Sequence, residues 1–182
     1  MGEPFKNTSM KKKLNVIVVL LSTAIFAFTA CSKNDNGGSS TVNVRMTDAP
    51  GAFDKVNIDI HEVRVNLTGD SASGWTTLNT KAGIYDLLTL QNGKDTLLAT
   101  GQVTAGTLKQ IRFVLGADNN VIIGGVQYPL TIPSGSESGL KINVDKKLNA
   151  SLETLVIDFD AAASIRLEVD GSYKLRPVLM LK

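Results

Sequence analysis

Val121-Ile122-Ile123-Gly124-Gly125-Val126-Gln127-Tyr128-Pro129-Leu130 is the stretch that decides the fold class. Two apolar, largely β-branched runs flank a pair of glycines, which accept the positive φ that a tight primed turn demands. The stretch therefore reads as an antiparallel hairpin. Pro129 has no N–H to give to a ladder, so it belongs on an edge strand or at an outward-facing position.

The same pattern extends both ways from this hairpin. Val42, Val44 and Met46 alternate with Asn43, Arg45 and Thr47, the period-2 signature of a half-buried strand. Val56, Ile58 and Ile60 repeat it on even numbers, whereas Val63, Val65 and Leu67 fall on odd ones. One extra residue near His61-Glu62 accounts for the slip and predicts a β-bulge there. Further strands are expected around Ile111-Phe113-Leu115, Leu140-Ile142-Val144, Leu155-Ile157-Phe159, Ile165-Leu167-Val169 and Tyr173-Leu175-Leu179-Leu181. Asp170-Gly171 marks a turn between the last two. Between Ile84 and Thr100 the segments Tyr85–Leu88 and Asp95–Ala99 each fit a helical turn or a short strand. Many short strands with Gly-rich turns and no long helical period indicate an all-β chain. The expected architecture is an antiparallel β-sandwich, immunoglobulin-like or prealbumin-like, occupying residues 41–182 as one domain.

The chain ahead of Thr41 is of a different kind. Lys11-Lys12-Lys13 precedes an apolar run from Leu14 to Ala30, and Cys31 follows, which reads as an export signal over residues 1–30. Met10 would start a more ordinary leader than Met1. Phe28-Thr29-Ala30-Cys31 resembles the lipobox of bacterial lipoproteins, although leucine is more usual where Phe28 stands. That resemblance implies cleavage before Cys31 and thioether lipidation of its sulfur, with palmitate among the acyl chains. The competing reading is a membrane-spanning anchor, for which an apolar run of about 17 residues is at the lower limit. One acyl chain holds a protein only marginally, at roughly 0.8 kcal/mol per buried methylene, whereas several hold it permanently. Residues 31–40 are the lipidated Cys31 and a polar Gly/Ser-rich tether, Ser32–Ser40, whose reach is on the order of 15 to 18 Å. The expected location is the cell envelope at the outer membrane, on its periplasmic or surface-exposed face. The expected membrane partner is the bilayer, through Cys31.

Without the leader, 152 residues remain, enough for one domain with a sizeable core. The leader holds four lysines and one glutamate, so the mature part carries a net charge of −1 and the overall +2 belongs to the leader. Its Lys and Arg residues are scattered, which points away from nucleic acid. Cys31 is the only cysteine, so no intrachain disulfide can form, and stability must come from apolar burial and sheet hydrogen bonds.

Chemistry-bearing residues are few. Asp158 and Asp160 flank Phe159, which places both carboxylates on one sheet face, as metals or glycoside cleavage would need. Asp118-Asn119-Asn120 is oxygen-rich, leaving calcium open at an inter-strand loop, though it lacks the layout of an EF-hand. Gly135-Ser136-Glu137-Ser138-Gly139 has the outline of a nucleophile elbow with Glu, not Ser, at its centre. The small-residue loop Ser134–Gly139 offers amides for an anion nest or merely connects strands. His61, the only histidine, suits a surface or capping role better than a base. Ala49-Pro50-Gly51-Ala52 fits a type II turn capped by Asp48. Asn66-Leu67-Thr68 and Asn149-Ala150-Ser151 match a glycosylation sequon and are set aside for a bacterial lipoprotein. Of the aromatic residues able to stack on a sugar, Trp75, Tyr85, Tyr128 and Tyr173, Trp75 follows a polar loop. It is either a surface ring or edge-strand packing. No catalytic, cofactor-binding or metal residue is assigned.

Four segments carry a family resemblance: Met46-Thr47-Asp48-Ala49-Pro50-Gly51, Ile132–Lys141, Asp158–Ile165 and Tyr173-Lys174-Leu175-Arg176-Pro177-Val178. In this order they resemble the bacterial lipoproteins grouped as domain of unknown function family 4382. The resemblance spans about Thr41 to Leu181 and implies an exported β-sandwich, with no activity attached. The expected function is a non-enzymatic binding or adhesion module with a glycan or an envelope protein as ligand. The alternative is an envelope assembly protein joining partners by its sheet edges. An enzyme acting on glycan through Asp158 and Asp160 is the third reading.

Overall fold

The computed structural model describes residue 2, residues 38–132 and residues 139–182. The leader, Cys31 and the tether as far as residue 37 lie outside the described residues, as do residues 133–138 with the expected elbow and most of the nest.

Two β-sheets enclose a single apolar core. The smaller has strand order β14 (Leu179–Leu181), β11 (Leu152–Phe159), β1 (Ser39–Thr47), β6 (Thr96–Thr104) and β4 (Asn79–Thr80). The larger runs β10 (Leu140–Leu148), β7 (Gly106–Leu115), β2 (Lys55–Asn66), β8 (Asn120–Ile123), β9 (Val126–Thr131), β13 (Tyr173–Leu175) and β12 (Ile165–Leu167). Two short strands, β3 (Trp75–Thr77) and β5 (Gly83–Asp86), pair with the other side of β2. The chain is an all-β sandwich.

β2 is the spine of the larger sheet, bonding β7 and β8 on one flank and β3 and β5 on the other. Its register against β7 shifts between Ile60 and Glu62, the bulge anticipated at His61-Glu62. The extra residue keeps Val56, Ile58 and Ile60 pointing inward on one side of the shift and Val63 and Val65 on the other, all of them buried. The glycine hairpin also forms as read: Ile123 faces Val126, with Gly124 at φ +57° and Gly125 at φ +78°. Pro129 is exposed, and β9 meets β13 only at Leu130 and Thr131, beyond the proline.

The sheets depart from the expected purely antiparallel pairing at two places. β1 runs parallel to β11, and β13 parallel to β9. Parallel neighbours need a long connection, and the chain between β1 and β11 supplies it by building most of the larger sheet. The last expected strand is split. Pro177 cannot donate to a ladder, and Ser164 receives the chain there, accepting the Arg176 N–H on its carbonyl and the Val178 N–H on its hydroxyl. The residues before Pro177 thus join the larger sheet as β13, and those after it join the smaller as β14. Val169 lies past the end of β12, fully exposed on the approach to the Asp170-Gly171 turn.

The ambiguous stretch resolves into both options. Gly83–Asp86 is strand, Leu87–Leu90 is a 3-10 turn capped by the Asp86 side chain at the Leu88 N–H, and Thr96 onward is strand. Sheet edges are blunted. β12 and β14 span three residues each, and β10 carries Lys141, Asp145, Lys146 and Lys147 with a register shift between Asn143 and Lys146. Leu155, fully buried opposite Val44, anchors the parallel pair. Leu155→Ala should cost about 2–5 kcal/mol of unfolding free energy, measured by urea denaturation.

Candidate functional site

The outward-pointing residues of β2, β7 and β10 build the most distinctive surface among the described residues. The ladders set Lys141 opposite Arg112, and Arg112 opposite Arg64, so three cations stand in one row across three strands. Strand spacing of about 4.8 Å makes the row roughly 10 Å long. Like charges directly opposed across strands are normally destabilising. Arg64 is relieved by an ion pair with Glu62. Among the described residues, neither Arg112 nor Lys141 has a carboxylate within ion-pair distance.

A loop is folded over this row by one buried amide. Asn66, 0% exposed, donates to the carbonyls of Asp70 (2.6 Å) and Ser73 (2.8 Å). Its oxygen accepts from the Thr68 N–H, the Thr68 hydroxyl and the Gly69 N–H. The bonding capacity of the side chain is used up in shaping residues 66–73. A sequon asparagine held this way is a structural residue. The loop delivers Ser71, whose carbonyl accepts from Trp75 Nε1 (3.1 Å) and Arg112 Nη2 (3.3 Å) and whose hydroxyl accepts from Lys141 Nζ (2.9 Å). Gln110, buried beneath the loop, bonds both the Ser71 hydroxyl and Asn143.

Trp75 is half-buried, with the Arg112 guanidinium carbon 4.0 Å from its ring centroid. It is thus a surface ring, and Arg112 covers one of its faces. The other aromatic candidates are engaged elsewhere. Tyr128 and Tyr173 pack on each other at 5.0 Å, and the Tyr85 hydroxyl donates to the Lys81 carbonyl, with burial raising its pKa. The cation row was not anticipated. Arg64, Arg112 and Lys141 are readable as outward positions, but their cross-strand register is not written in any one segment.

The other expected sites disperse. Asp158 and Asp160 do not share a sheet face: β11 ends at Phe159, and Asp160 turns to cap the one-turn helix α1 (Ala161–Ser164) through the Ala163 N–H. Asp158 instead pairs with Lys182 at 2.9 Å. His61 is exposed beside the bulge, with Nε2 3.4 Å from Asp59 Oδ2. Asn119 spends its amide on the Asp59 N–H and the Gly116 carbonyl. No group of three or more His, Cys, Asp or Glu among the described residues is arranged to hold a metal ion. A groove of about 640 Å³ opens between the sheets, lined by Ser39, Leu67, Gly74, Thr76, Gln102, Val103 and Thr104, none of them titratable.

Comparison with known proteins gives one result. A family model described as a domain of unknown function (DUF4382) matches residues 39–177. The chain belongs to the DUF4382 family. No curated protein and no solved structure matches it.

Within this DUF4382 domain, three of the four segments that carried the resemblance interlock at one corner. Asp48 Oδ1 accepts the Ala161 N–H (2.9 Å), and Oδ2 accepts the Gln91 amide (3.0 Å). Asp160 N–H donates to the Val178 carbonyl. The expected type II turn is absent: Gly51 does not take positive φ, because Asp48 reaches across to α1 instead of capping its own turn. Asp48 is 3% exposed. Burial raises its pKa, opposed by its bonds to Ala161 and Gln91, while Asp158 and Asp160 add to the rise. The folded chain therefore holds this proton more tightly than the unfolded chain does. The stabilisation is complete below about pH 4 and is lost as pH rises through the folded pKa. Asp48→Ala should cost about 1–3 kcal/mol by stranding two donors, and Asp48→Asn much less. In urea denaturation at pH 4 and pH 7, the wild type should lose ground to Asp48→Asn at the higher pH. An unchanged gap would contradict the assignment.

Proposed function

We propose that this chain is a lipid-anchored, non-catalytic binding module of the bacterial cell envelope, held at the outer membrane through Cys31. The observation that carries the binding half is the outer-face cluster of Arg112, Lys141 and Trp75, each bonded to Ser71 on a loop that a fully bonded Asn66 holds. A rigid sheet that presents fixed polar and aromatic groups suits recognition, because little side-chain freedom is left to lose on binding. The anchoring half rests on the leader, the lipobox-like Phe28-Thr29-Ala30-Cys31 and the polar tether that follows. The ligand class that suits an aromatic-and-polar face is a saccharide. Assembly through sheet edges is the weaker reading, since the outer strands β12 and β14 are short and β10 is bulged and charged.

Two measurements test the two halves. Palmitate labelling in a bacterial host should mark the wild type and be lost in Cys31→Ser; equal labelling removes the anchor. Full-length protein in detergent micelles should bind saccharides on a glycan array, and Trp75→Ala should abolish that binding. An empty array, or a Trp75→Ala protein that binds like the wild type, removes the recognition role.

A further inference from the structure

We infer that the outer-face cluster is a carboxylate-binding subsite and that the saccharide it takes is an acidic one, a uronate-bearing glycan. The inference rests on the binding-module reading above and names its ligand class. The first support is charge. Arg112 and Lys141 are set directly opposite each other, and Glu62 compensates only Arg64, so the row holds positive charge that the described residues leave unpaired. A carboxylate lying between Arg112 and Lys141 would turn that repulsion into two attractions.

The second support is hydrogen-bonding capacity. Arg112 makes one side-chain hydrogen bond among the described residues, to the Ser71 carbonyl. Its Nε is buried and has no partner. A guanidinium has five N–H groups in a planar fork that fits carboxylate, and the described residues engage only one of them, at Nη2.

The third support is preorganisation. Trp75 stacks on the guanidinium, and Gly139, at φ +65°, packs so closely that a Cβ there would lie 2.9 Å from Arg112 Cγ. The stem of Arg112 is thus held from two sides before any ligand arrives.

The chemistry separates this ligand from its rivals. An extended peptide gains affinity from the backbone groups of a free strand edge, and the edge this row reaches, β10, is bulged and charged. A lipid surface is recognised by clusters of about four to eight cations, and here one of three is already paired. A bare anion would satisfy the charge and leave the indole unused. A ring bearing both a carboxylate and hydroxyls uses Arg112, Lys141, Ser71 and the edge of Trp75 together.

Trp75 is the chain's only tryptophan, so its emission reports on this site alone. Full-length protein in detergent micelles is titrated with oligogalacturonate, oligoalginate and hyaluronan fragments, and with methyl-esterified oligogalacturonate as the uncharged match. At least one acid oligomer should shift the emission saturably, weaken with added salt, and lose to its ester. Arg112→Gln and Lys141→Ala should each raise the midpoint about tenfold or more. Lys141 is exposed and its replacement leaves the core untouched, which keeps the test valid should Arg112→Gln fold poorly. The inference is overturned if no acid oligomer shifts the emission, if ester and acid titrate alike, or if Lys141→Ala matches the wild type. It is also overturned if inorganic phosphate or phosphatidylglycerol vesicles bind as tightly as the best acid oligomer. Array binding confined to neutral glycans and sensitive to Trp75→Ala would sink the acidic ligand while leaving the module reading in place.

Discussion

One extra residue in β2 governs both the interior and the outer face of the larger sheet. Side chains alternate strictly along a strand, so a phase slip without a bulge would turn everything after Ile60 inside out. With the bulge between Ile60 and Glu62, Val63 and Val65 stay in the core, and Arg64 and Asn66 stay on the opposite face of the sheet, Asn66 buried there beneath its loop. The cation row and the loop that covers it both depend on that phase. Arg64 continues the row begun by Lys141 and Arg112, and Asn66 begins the loop that carries Ser71. Core packing and the outer-face cluster are thus settled by the same backbone irregularity, as is common where bulges re-aim side chains.

Three of the four segments that carry the family resemblance do different work from the outer-face cluster. At a corner where β1, β11 and β14 converge, the Asp48 carboxylate and the Ser164 hydroxyl and carbonyl accept main-chain N–H groups of α1 and of the residues around Val178. Such a knot makes stringent demands on residue type, because buried donors tolerate no loss of their acceptors. It has little left over for a ligand. Of the four segments, only Ile132–Lys141 reaches the outer-face cluster, through Lys141.

Much of the architecture was legible from local pattern. The hairpin at Gly124-Gly125, the bulge, the Asp170-Gly171 turn and most strands follow from period and turn chemistry, which act over a few residues. What escaped was set by distant partners. The parallel pairing of β1 with β11 is invisible to any window, because both strands alternate in the same way whichever direction they run. The split at Pro177 needed Ser164 as receiver, and the bond from Ala161 to Asp48 spans 113 residues. The candidate site was partly legible: a surface ring was one of two readings of Trp75, while the juxtaposition of Arg64, Arg112 and Lys141 required the registers of three strands. Asp158 and Asp160 looked paired only because alternation was extended one residue too far, past the end of β11.

The position of β1 has a kinetic consequence. It sits between β11 and β6 at the middle of the smaller sheet, with Thr41 beside Leu152 and Thr47 beside Asp158. Its parallel neighbour is synthesised more than a hundred residues later. Non-local pairing of this kind slows collapse to the native state, because loop closure must precede the contacts that reward it. The smaller sheet of a nascent chain stays incomplete until its C-terminal strands exist.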